Sequence, residues 1–124
     1  MVSAAEYGHH FGSGEPFSLG VEEELFLVDP VTGRQTNSSA AVLERLGETV
    51  GAVERELHAC QIELITTVHS GAGDAVRELA ELRRAVLKTG AALLGSGTHP
   101  AAEEGEAAIT DKERYERIHF LLGD

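Results

Sequence analysis

Hydrophobic and polar residues alternate from Phe17 to Val28, and this period of two residues predicts a β-strand. The turn sequence from Asp29 to Gly33 ends the strand, because proline fixes φ and glycine tolerates a positive φ. Residues Arg34 to Thr36 are expected to return as a short strand. A second extended segment is predicted from about Val53 to His69, and its core from Cys60 to Val68 alternates in the same way.

Three further segments have the spacing of amphipathic helices. A short helix is expected after Ser38 or Ser39, and the longest helix is expected from Asp74 to about Leu94. A capping box from Thr110 to Glu113 predicts the start of a third helix. The apolar residues expected to face inward are Val42, Leu43 and Leu46 in the first helix, Val76, Leu79, Leu82, Val86 and Leu93 in the second, and Tyr115, Ile118 and Leu122 in the third.

The order of these elements favours an α+β fold with a mainly antiparallel sheet flanked by helices. The strands are not separated by single crossover helices in the regular rhythm of a parallel sheet. At 124 residues the chain is long enough for one domain or part of one. Residues 1–15 mix serine, glycine and charge without a period, so we expect a disordered arm there, with order beginning at residue 16.

The first predicted strand carries three consecutive glutamates. Strand geometry puts Glu22 and Glu24 on one face, about 6–7 Å apart, whereas Glu23 points to the other face among leucine and valine. Two like charges on one face are unfavourable alone, and a hard divalent cation such as Mg²⁺ would relieve their repulsion through carboxylate oxygens. The alternative is an exposed, charged face that discourages edge pairing.

The second extended segment carries Gln61 and Glu63 within an apolar run. An unpaired carboxylate in such surroundings would cost several kcal/mol or would take up a proton. If this strand neighbours the first, Glu63 can join Glu22 and Glu24 in one acidic cluster. The alternative is that this face of the strand meets water.

Other residues with reactive side chains give weaker signals. Cys60 shares a face with aliphatic residues, so we interpret it as a small buried hydrophobic residue rather than a nucleophile. His99 follows the long helix and suits either a ligand contact or a structural role. Arg114, beside Tyr115, would suit an anion, and the alternative is an exposed arginine beside a core tyrosine. The sequence contains neither a phosphate-binding loop nor a serine nucleophile elbow.

The chain is strongly acidic, with 21 Asp and Glu against 10 Lys and Arg and a formal net charge of −11. This balance argues against nucleic acid or an anionic membrane surface as a partner, and it suits a cation-binding site. No apolar run approaches the ~18 residues that a spanning helix needs, and no secretory signal is expected at the N-terminus. The single cysteine, Cys60, excludes an internal disulfide and predicts a cytoplasmic protein.

Four motifs occur in an order that resembles a known family. They are FSLGVEEELFLVDPVTG at Phe17–Gly33, QIELITTVHSG at Gln61–Gly71, GTHP at Gly97–Pro100 and the pair Arg114–Tyr115. Together they resemble the bacterial carboxylate–amine ligases of glutamate–cysteine ligase type 2, over residues 17–122. The resemblance implies a partial glutamine-synthetase-like catalytic fold, in which residues 16–124 would be the N-terminal portion of a single ligase catalytic domain.

The resemblance also implies an activity, the ATP-dependent joining of glutamate to an amine such as cysteine through a γ-glutamyl phosphate. The implied cofactor is Mg²⁺ or Mn²⁺, and Glu22, Glu24 and Glu63 match the family's metal-binding carboxylates. The positions matched to substrate binding are Gln61, Thr66, Thr98, His99 and Arg114. The implied partners are small molecules (glutamate, the amine and ATP), and the pattern is compatible with a homo-oligomer.

Two departures from the family pattern keep a second function open. Family members are much longer than this chain, so the residues that hold the ATP phosphates are expected beyond Asp124. The residues from Ala101 to Glu104 also differ from the family pattern after the Thr-His-Pro motif. The alternative function is a shortened, non-catalytic module of the same fold that binds a metal or a partner. The acceptor amine, cysteine or another, is left open.

Overall fold

The computed structural model describes residues 14–122, apart from the side chains of Glu116, His119 and Leu122. Most of the arm expected at residues 1–15, and the inward position expected of Leu122, therefore lie outside the described residues. The elements follow in the order β1 Glu22–Val28, α1 Ser39–Arg45, β2 Ala52–Arg55, β3 Gln61–Ile65, α2 Ala72–Lys88, β4 Ala92–Leu94 and α3 Glu113–Leu122.

The four strands form one antiparallel sheet in the order β2-β3-β1-β4. Strand β1 pairs with β3 on one side and with β4 on the other, and β2 pairs with the far side of β3. The α+β class and the antiparallel sheet expected from the sequence are confirmed. None of the helices within residues 14–122 has both the length and the apolar character needed to cross a membrane.

One face of the sheet carries the hydrophobic core. Leu25 and Leu27 of β1, and Ile62 and Leu64 of β3, point to this face because successive side chains of a strand alternate between faces. Helix α2 covers them with residues that recur at helical spacing. The buried core cluster consists of Leu25, Leu27, Val42, Ile62, Leu64, Leu79, Leu82 and Val86. Burying each of these side chains stabilises the fold by roughly 1.5–3 kcal/mol.

The opposite face holds most of the acidic strand residues, and we call it the carboxylate face. It is formed by Glu22, Glu24, Phe26 and Val28 of β1, Ala52 and Glu54 of β2, Gln61, Glu63 and Ile65 of β3, and Ala92 and Leu94 of β4. None of these residues is lysine or arginine. The sheet therefore has its aliphatic core on one face and four of its five strand glutamates, all but Glu23, on the other.

The second extended segment, expected as one strand from Val53 to His69, is two strands. Strands β2 and β3 pair with each other as a hairpin. Between them the chain leaves the sheet, because its backbone bonds to a later segment. The N–H of Ala59 donates to the carbonyl of Ala108 at 2.7 Å, and the N–H of Thr110 donates to the carbonyl of Leu57 at 2.8 Å.

The longest helix is shorter than its apolar spacing indicated. Helix α2 starts at Ala72 and stops at Lys88, and Gly90 then adopts a φ of +90°, which glycine tolerates best. This turn frees Ala92–Leu94 to form β4, which pairs with β1. The prediction that Leu93 belongs to the helix is therefore wrong. The prediction that Val76 faces inward is also wrong, because its side chain is exposed on α2.

The structure differs from the sequence predictions in two further strand segments and in the N-terminal cap of the third helix. Strand β1 begins at Glu22, and the earlier part of the predicted strand keeps one bridge, between Leu19 and His69. The return strand after the turn is also a single bridge, made by Gln35. Helix α3 begins at Glu113, and the capping box is not formed, because the buried hydroxyl of Thr110 has no hydrogen-bond partner among the described residues.

Candidate metal centre

A row of three glutamates crosses the carboxylate face. Glu24 of β1 is paired in register with Glu63 of β3, and Glu63 is paired with Glu54 of β2. Directly opposed residues in an antiparallel pair project to the same side, so their carboxylates share one region of the face. The proximity of Glu63 to the first strand, expected on condition that the two strands were neighbours, is confirmed.

Three carboxylates come close enough to share one cation. Oxygen atoms of Glu24, Glu56 and Glu63 lie within 4.8 Å of one another. Glu22 does not belong to this group, although it was expected to, since it is paired with Ile65 one row away. Glu54 is also outside the group. Its carboxylate lies 3.8 Å from the Nζ of Lys112, the residue that precedes α3.

Sequence reasoning missed Glu56. Glu56 immediately follows β2 and lies two residues after Glu54. Because side chains two residues apart in a strand share a face, the alternation could have predicted its position on the carboxylate face. It was missed because the segment was treated as one continuous strand. The hairpin places Glu56 diagonally to Glu63, whose direct partner on β2 is Glu54, and the carboxylates of Glu56 and Glu63 come within 4.8 Å of each other.

The environment of Glu63 disfavours its negative charge. Its partial burial raises the pKa of the carboxyl above the ordinary glutamate value, and the neighbouring carboxylates of Glu22, Glu56, Glu24 and Glu54 raise it further. Both causes act in the same direction, because desolvation and like charge each penalise the ionised form. A cation or a proton would relieve the same repulsion.

Glu23 is separated from this group by the sheet. Its carboxylate forms a two-pronged ion pair with the guanidinium of Arg83 on α2, and the Nε of Arg83 lies 2.7 Å from Oε2 of Glu23. The prediction that Glu23 faces away from its two neighbours is confirmed. The run of three glutamates is thus divided between a helix contact and the carboxylate face.

Helix α3 brings an aromatic residue to the edge of the group. Tyr115 is buried, and burial together with the carboxylate of Glu56 raises the pKa of its phenol. The Nζ of Lys112 lies 5.3 Å from the centre of the ring, and the guanidinium of Arg114 lies 5.0 Å from it. This is the arrangement that the sequence alternative described, an exposed arginine beside a core tyrosine.

A cavity of about 450 Å³ adjoins the acidic group on the same face. Three of the predicted substrate-binding residues, Gln61, Thr98 and His99, line it. Gln61 lies two residues from Glu63 on the same side of β3, so the cavity begins beside the carboxylates. The other lining residues are Phe26, Gln35, His58, Cys60, Gly97, Ala102, Glu103, Gly105 and Ala107, so no lysine or arginine contributes.

His99 is held in place by both of its ring nitrogens. Its Nδ1 accepts a hydrogen bond from the N–H of Ala101 at 3.2 Å, so its Nε2 carries the proton and donates to the carbonyl of Gly33 at 3.0 Å. The ring also packs edge-on against Phe26, with centroids 5.6 Å apart. These contacts make His99 a wall of the cavity rather than a free proton donor.

Two predicted substrate residues lie away from the cavity. Thr66 is buried at the end of β3, where its hydroxyl accepts a hydrogen bond from the N–H of Val21 at 2.9 Å. Arg114 is exposed on α3. The structure therefore brings Gln61, Thr98 and His99 together and leaves Thr66 and Arg114 outside this group.

Comparison with known families gives this geometry a context. The family model described as "Glutamate-cysteine ligase family 2(GCS2)" matches residues 18–120. The chain belongs to this family. Within glutamate–cysteine ligase family 2, the residues that form the acidic group and the adjoining cavity all fall inside the matched range.

Curated members of the family give the same assignment. The chain is 34% identical over 121 residues to "Putative glutamate--cysteine ligase 2-3" of Rubrobacter xylanophilus, covering 91% of this chain and 33% of the relative. It is 40% identical over 114 residues to "Putative glutamate--cysteine ligase 2-1" of Rhodococcus jostii, covering 87% of this chain and 31% of the relative. The chain thus spans about a third of the length of these glutamate–cysteine ligase family 2 members.

Proposed function

We propose that this chain supplies the metal-binding carboxylates of an ATP-dependent carbon–nitrogen ligase of the cytoplasm. The proposed reaction joins glutamate to cysteine through a γ-glutamyl phosphate. The observation that carries the proposal is the convergence of Glu24, Glu56 and Glu63, within 4.8 Å, in a chain of this family.

The donor set fits Mg²⁺ or Mn²⁺. Both ions prefer oxygen ligands, and the three candidate ligands are carboxylates. Two of them lie on paired strands of a sheet, which fixes their separation more firmly than a loop would. When bound, a divalent cation would neutralise charge on the phosphates of ATP and on the transferred phosphoryl group.

The chain's own residues would hold and orient the reactants. Glu24, Glu56 and Glu63 would provide the anionic side of the site, and the adjoining cavity would receive a substrate. In that cavity the amide of Gln61 and the hydroxyl of Thr98 can hydrogen-bond a polar ligand, while His99 and Phe26 shape the wall. The lining includes no lysine or arginine, so the ATP phosphates would need cationic groups from outside this cavity.

Metal binding and turnover are the two tests of this proposal. Mn²⁺ binding is followed by electron paramagnetic resonance for the native chain and for Glu24→Gln, Glu56→Gln and Glu63→Gln. Glu44→Gln, an exposed residue of α1, is the matched control because it makes the same change of charge. We expect each of the three variants to weaken binding at least tenfold. Equal affinity for all four variants would contradict the metal centre.

Turnover is tested in the complete protein by phosphate release from ATP. We expect release to need glutamate and cysteine together, and hydroxylamine to trap the γ-glutamyl phosphate as a hydroxamate. Replacing cysteine by other amines at equal concentration tests the acceptor. A rate of phosphate release that is the same with and without glutamate would rule out the proposed reaction.

A second candidate is a non-catalytic module that binds a metal or a partner through the carboxylate face. It is favoured by one observation, the lack of lysine and arginine among the strand residues of that face. Titration of ATP in the presence of Mg²⁺ separates the two candidates. Binding of Mg²⁺ by the complete protein without any binding of ATP would favour the module.

A further inference from the structure

A buried glutamate on α2 receives three hydrogen bonds from the segment that follows β3. Glu78 is 6% exposed although it is charged. Its Oε1 accepts from the N–H of Thr67 at 2.9 Å, and its Oε2 accepts from the hydroxyl of Thr67 at 2.7 Å. The Nε2 of His69 lies 2.5 Å from the same Oε2. Such bonds compensate the burial of a carboxylate, and they fix the segment to the helix.

The same carboxylate lies against the start of β2. A Cβ atom on Gly51 would lie 2.6 Å from Oε1 of Glu78 and 2.3 Å from the carbonyl oxygen of Ile65. Both separations are shorter than real Cβ contacts. Any residue other than glycine at position 51 would therefore displace the backbone of Ile65 or the side chain of Glu78. Gly51 directly precedes β2, the strand that leads to Glu56.

The segment fixed by Glu78 also holds the start of β1. The backbones of Leu19 and His69 exchange two hydrogen bonds of 2.8 Å. Thr66 donates its N–H to the carbonyl of Val21 at 2.9 Å, and its hydroxyl accepts from the N–H of Val21. Val21 is followed directly by β1, the strand of Glu24.

One carboxylate thus contacts the segment after β3 and lies against the start of β2, and that same segment links it to the start of β1. We propose that Glu78 is a positioning residue for Glu24, Glu56 and Glu63, acting by fixing the relative placement of β1, β2 and β3. It touches none of the three carboxylates in the contacts described above, so its action passes through the backbone. This inference rests on the proposed metal centre and assigns it a supporting residue on the covering helix.

The test compares Mn²⁺ affinity in Glu78→Gln and Glu81→Gln, measured in the purified protein at a temperature where circular dichroism shows each variant folded. Both variants remove one negative charge from α2, but Glu81 is exposed. We expect Glu78→Gln to bind Mn²⁺ about tenfold more weakly and Glu81→Gln to bind as the native protein does. A purely structural role would lower the melting temperature of Glu78→Gln and leave its Mn²⁺ affinity unchanged, which would overturn the proposal.

Thr67→Val is the second variant, and it keeps the inference testable if Glu78→Gln does not fold. It removes the hydroxyl donor to Oε2 and preserves side-chain shape at an exposed position. We expect a smaller but measurable loss of Mn²⁺ affinity, and native affinity would overturn the positioning role. If Glu63→Gln binds Mn²⁺ as well as the native protein, the metal centre itself is refuted. If Glu63→Gln weakens Mn²⁺ binding but folded Glu78→Gln or Thr67→Val binds Mn²⁺ as the native protein does, the positioning role alone is refuted.

Discussion

Glu24 of β1 and Glu63 of β3 lie directly opposite each other in the register of the sheet. Side chains paired in this way have Cβ atoms about 4.5–5.5 Å apart, and like charges there destabilise the pair. A cation bound between them, or a proton on Glu63, removes the repulsion. The pairing therefore predicts that the stability of the sheet depends on divalent cations and on pH.

The first prediction concerns the parity of the glutamate run. In the complete protein, Glu24→Gln and Glu63→Gln are expected to lower turnover far more than Glu23→Gln. The reason is that Glu23 meets Arg83 on the core side of the sheet, and exposed ion pairs of this kind contribute about 0–1 kcal/mol. Steady-state assays of phosphate release measure the effect. Equal losses at all three positions would contradict the parity argument.

The second prediction separates Glu56 from Glu22. Glu56→Gln is expected to weaken Mn²⁺ binding at least tenfold, because its carboxylate lies within 4.8 Å of those of Glu24 and Glu63. Glu22→Gln is expected to weaken it less, since Glu22 raises the pKa of Glu63 by its charge but lies outside the group whose oxygen atoms approach within 4.8 Å of one another. Calorimetric titration measures both affinities, and the reverse order would assign Glu22 as the ligand.

The third prediction concerns pH and Mg²⁺. Because the folded protein raises the pKa of Glu63 above the ordinary value of 4.5, its contribution to stability is full below that value and is lost as pH rises through the folded pKa. Metal-free protein should therefore melt at a lower temperature at neutral than at mildly acidic pH, and millimolar Mg²⁺ should reverse this.

Ionic strength is the control for that experiment. The chain has a net charge of −11, so any salt screens some repulsion. NaCl is therefore compared with MgCl₂ at equal ionic strength in the same thermal melts. Identical shifts for both salts would mean that the carboxylates do not bind the divalent ion as a group.

The fourth prediction concerns acid denaturation and Glu78. Hydrogen bonds from the N–H and hydroxyl of Thr67 hold the pKa of Glu78 below the ordinary value of 4.5, with a smaller contribution from His69. Its contribution to stability is present above the unfolded pKa and is lost as pH falls through the folded pKa. Urea unfolding at mildly and strongly acidic pH should show a steeper loss of stability in Glu81→Gln, which retains Glu78, than in Glu78→Gln. Parallel pH curves for the two variants would contradict this.

The fifth prediction compares two glycines. Gly51→Ala is expected to destabilise the fold by about 2 kcal/mol, because the added Cβ meets the backbone oxygen of Ile65 and the carboxylate of Glu78. Gly47→Ala is the matched control, since a Cβ there meets nothing within 4 Å, and its effect should stay within about 0.5 kcal/mol. Denaturant unfolding measures both, and equal effects would contradict the close packing at Gly51.

The features that follow from local periodicity could be predicted from the sequence. Alternation along β1 was sufficient to place Glu23 and Glu24 on opposite faces of the sheet. Alternation along β3 placed Glu63 on the same face as Gln61. The burial of Cys60, which is 1% exposed, follows from the same pattern. Each of these predictions depends only on neighbours two residues apart.

The features that depend on distant contacts could not be predicted in this way. The hairpin that brings Glu56 to Glu63 exists because Leu57 and Ala59 bond to residues near 110 rather than continuing a strand. Strand β4 has apolar spacing that also suits a helix, and only the turn at Gly90 and pairing with β1 decide between them. Thr66 carries no local sign that its hydroxyl would serve the backbone of Val21.

The separation of the two faces of the sheet has a consequence for how such a chain can diverge. Along β1 and β3, Leu25, Leu27, Ile62 and Leu64 pack in the core, and the residues that alternate with them include the glutamates of the proposed metal site. Substitutions at Glu24, Gln61 or Glu63 can therefore change the ligand that the face accepts while Leu25, Ile62 and Leu64 keep the packing intact. Selection can act on specificity and on stability through different positions of the same strand, so one scaffold can acquire new substrates without being rebuilt.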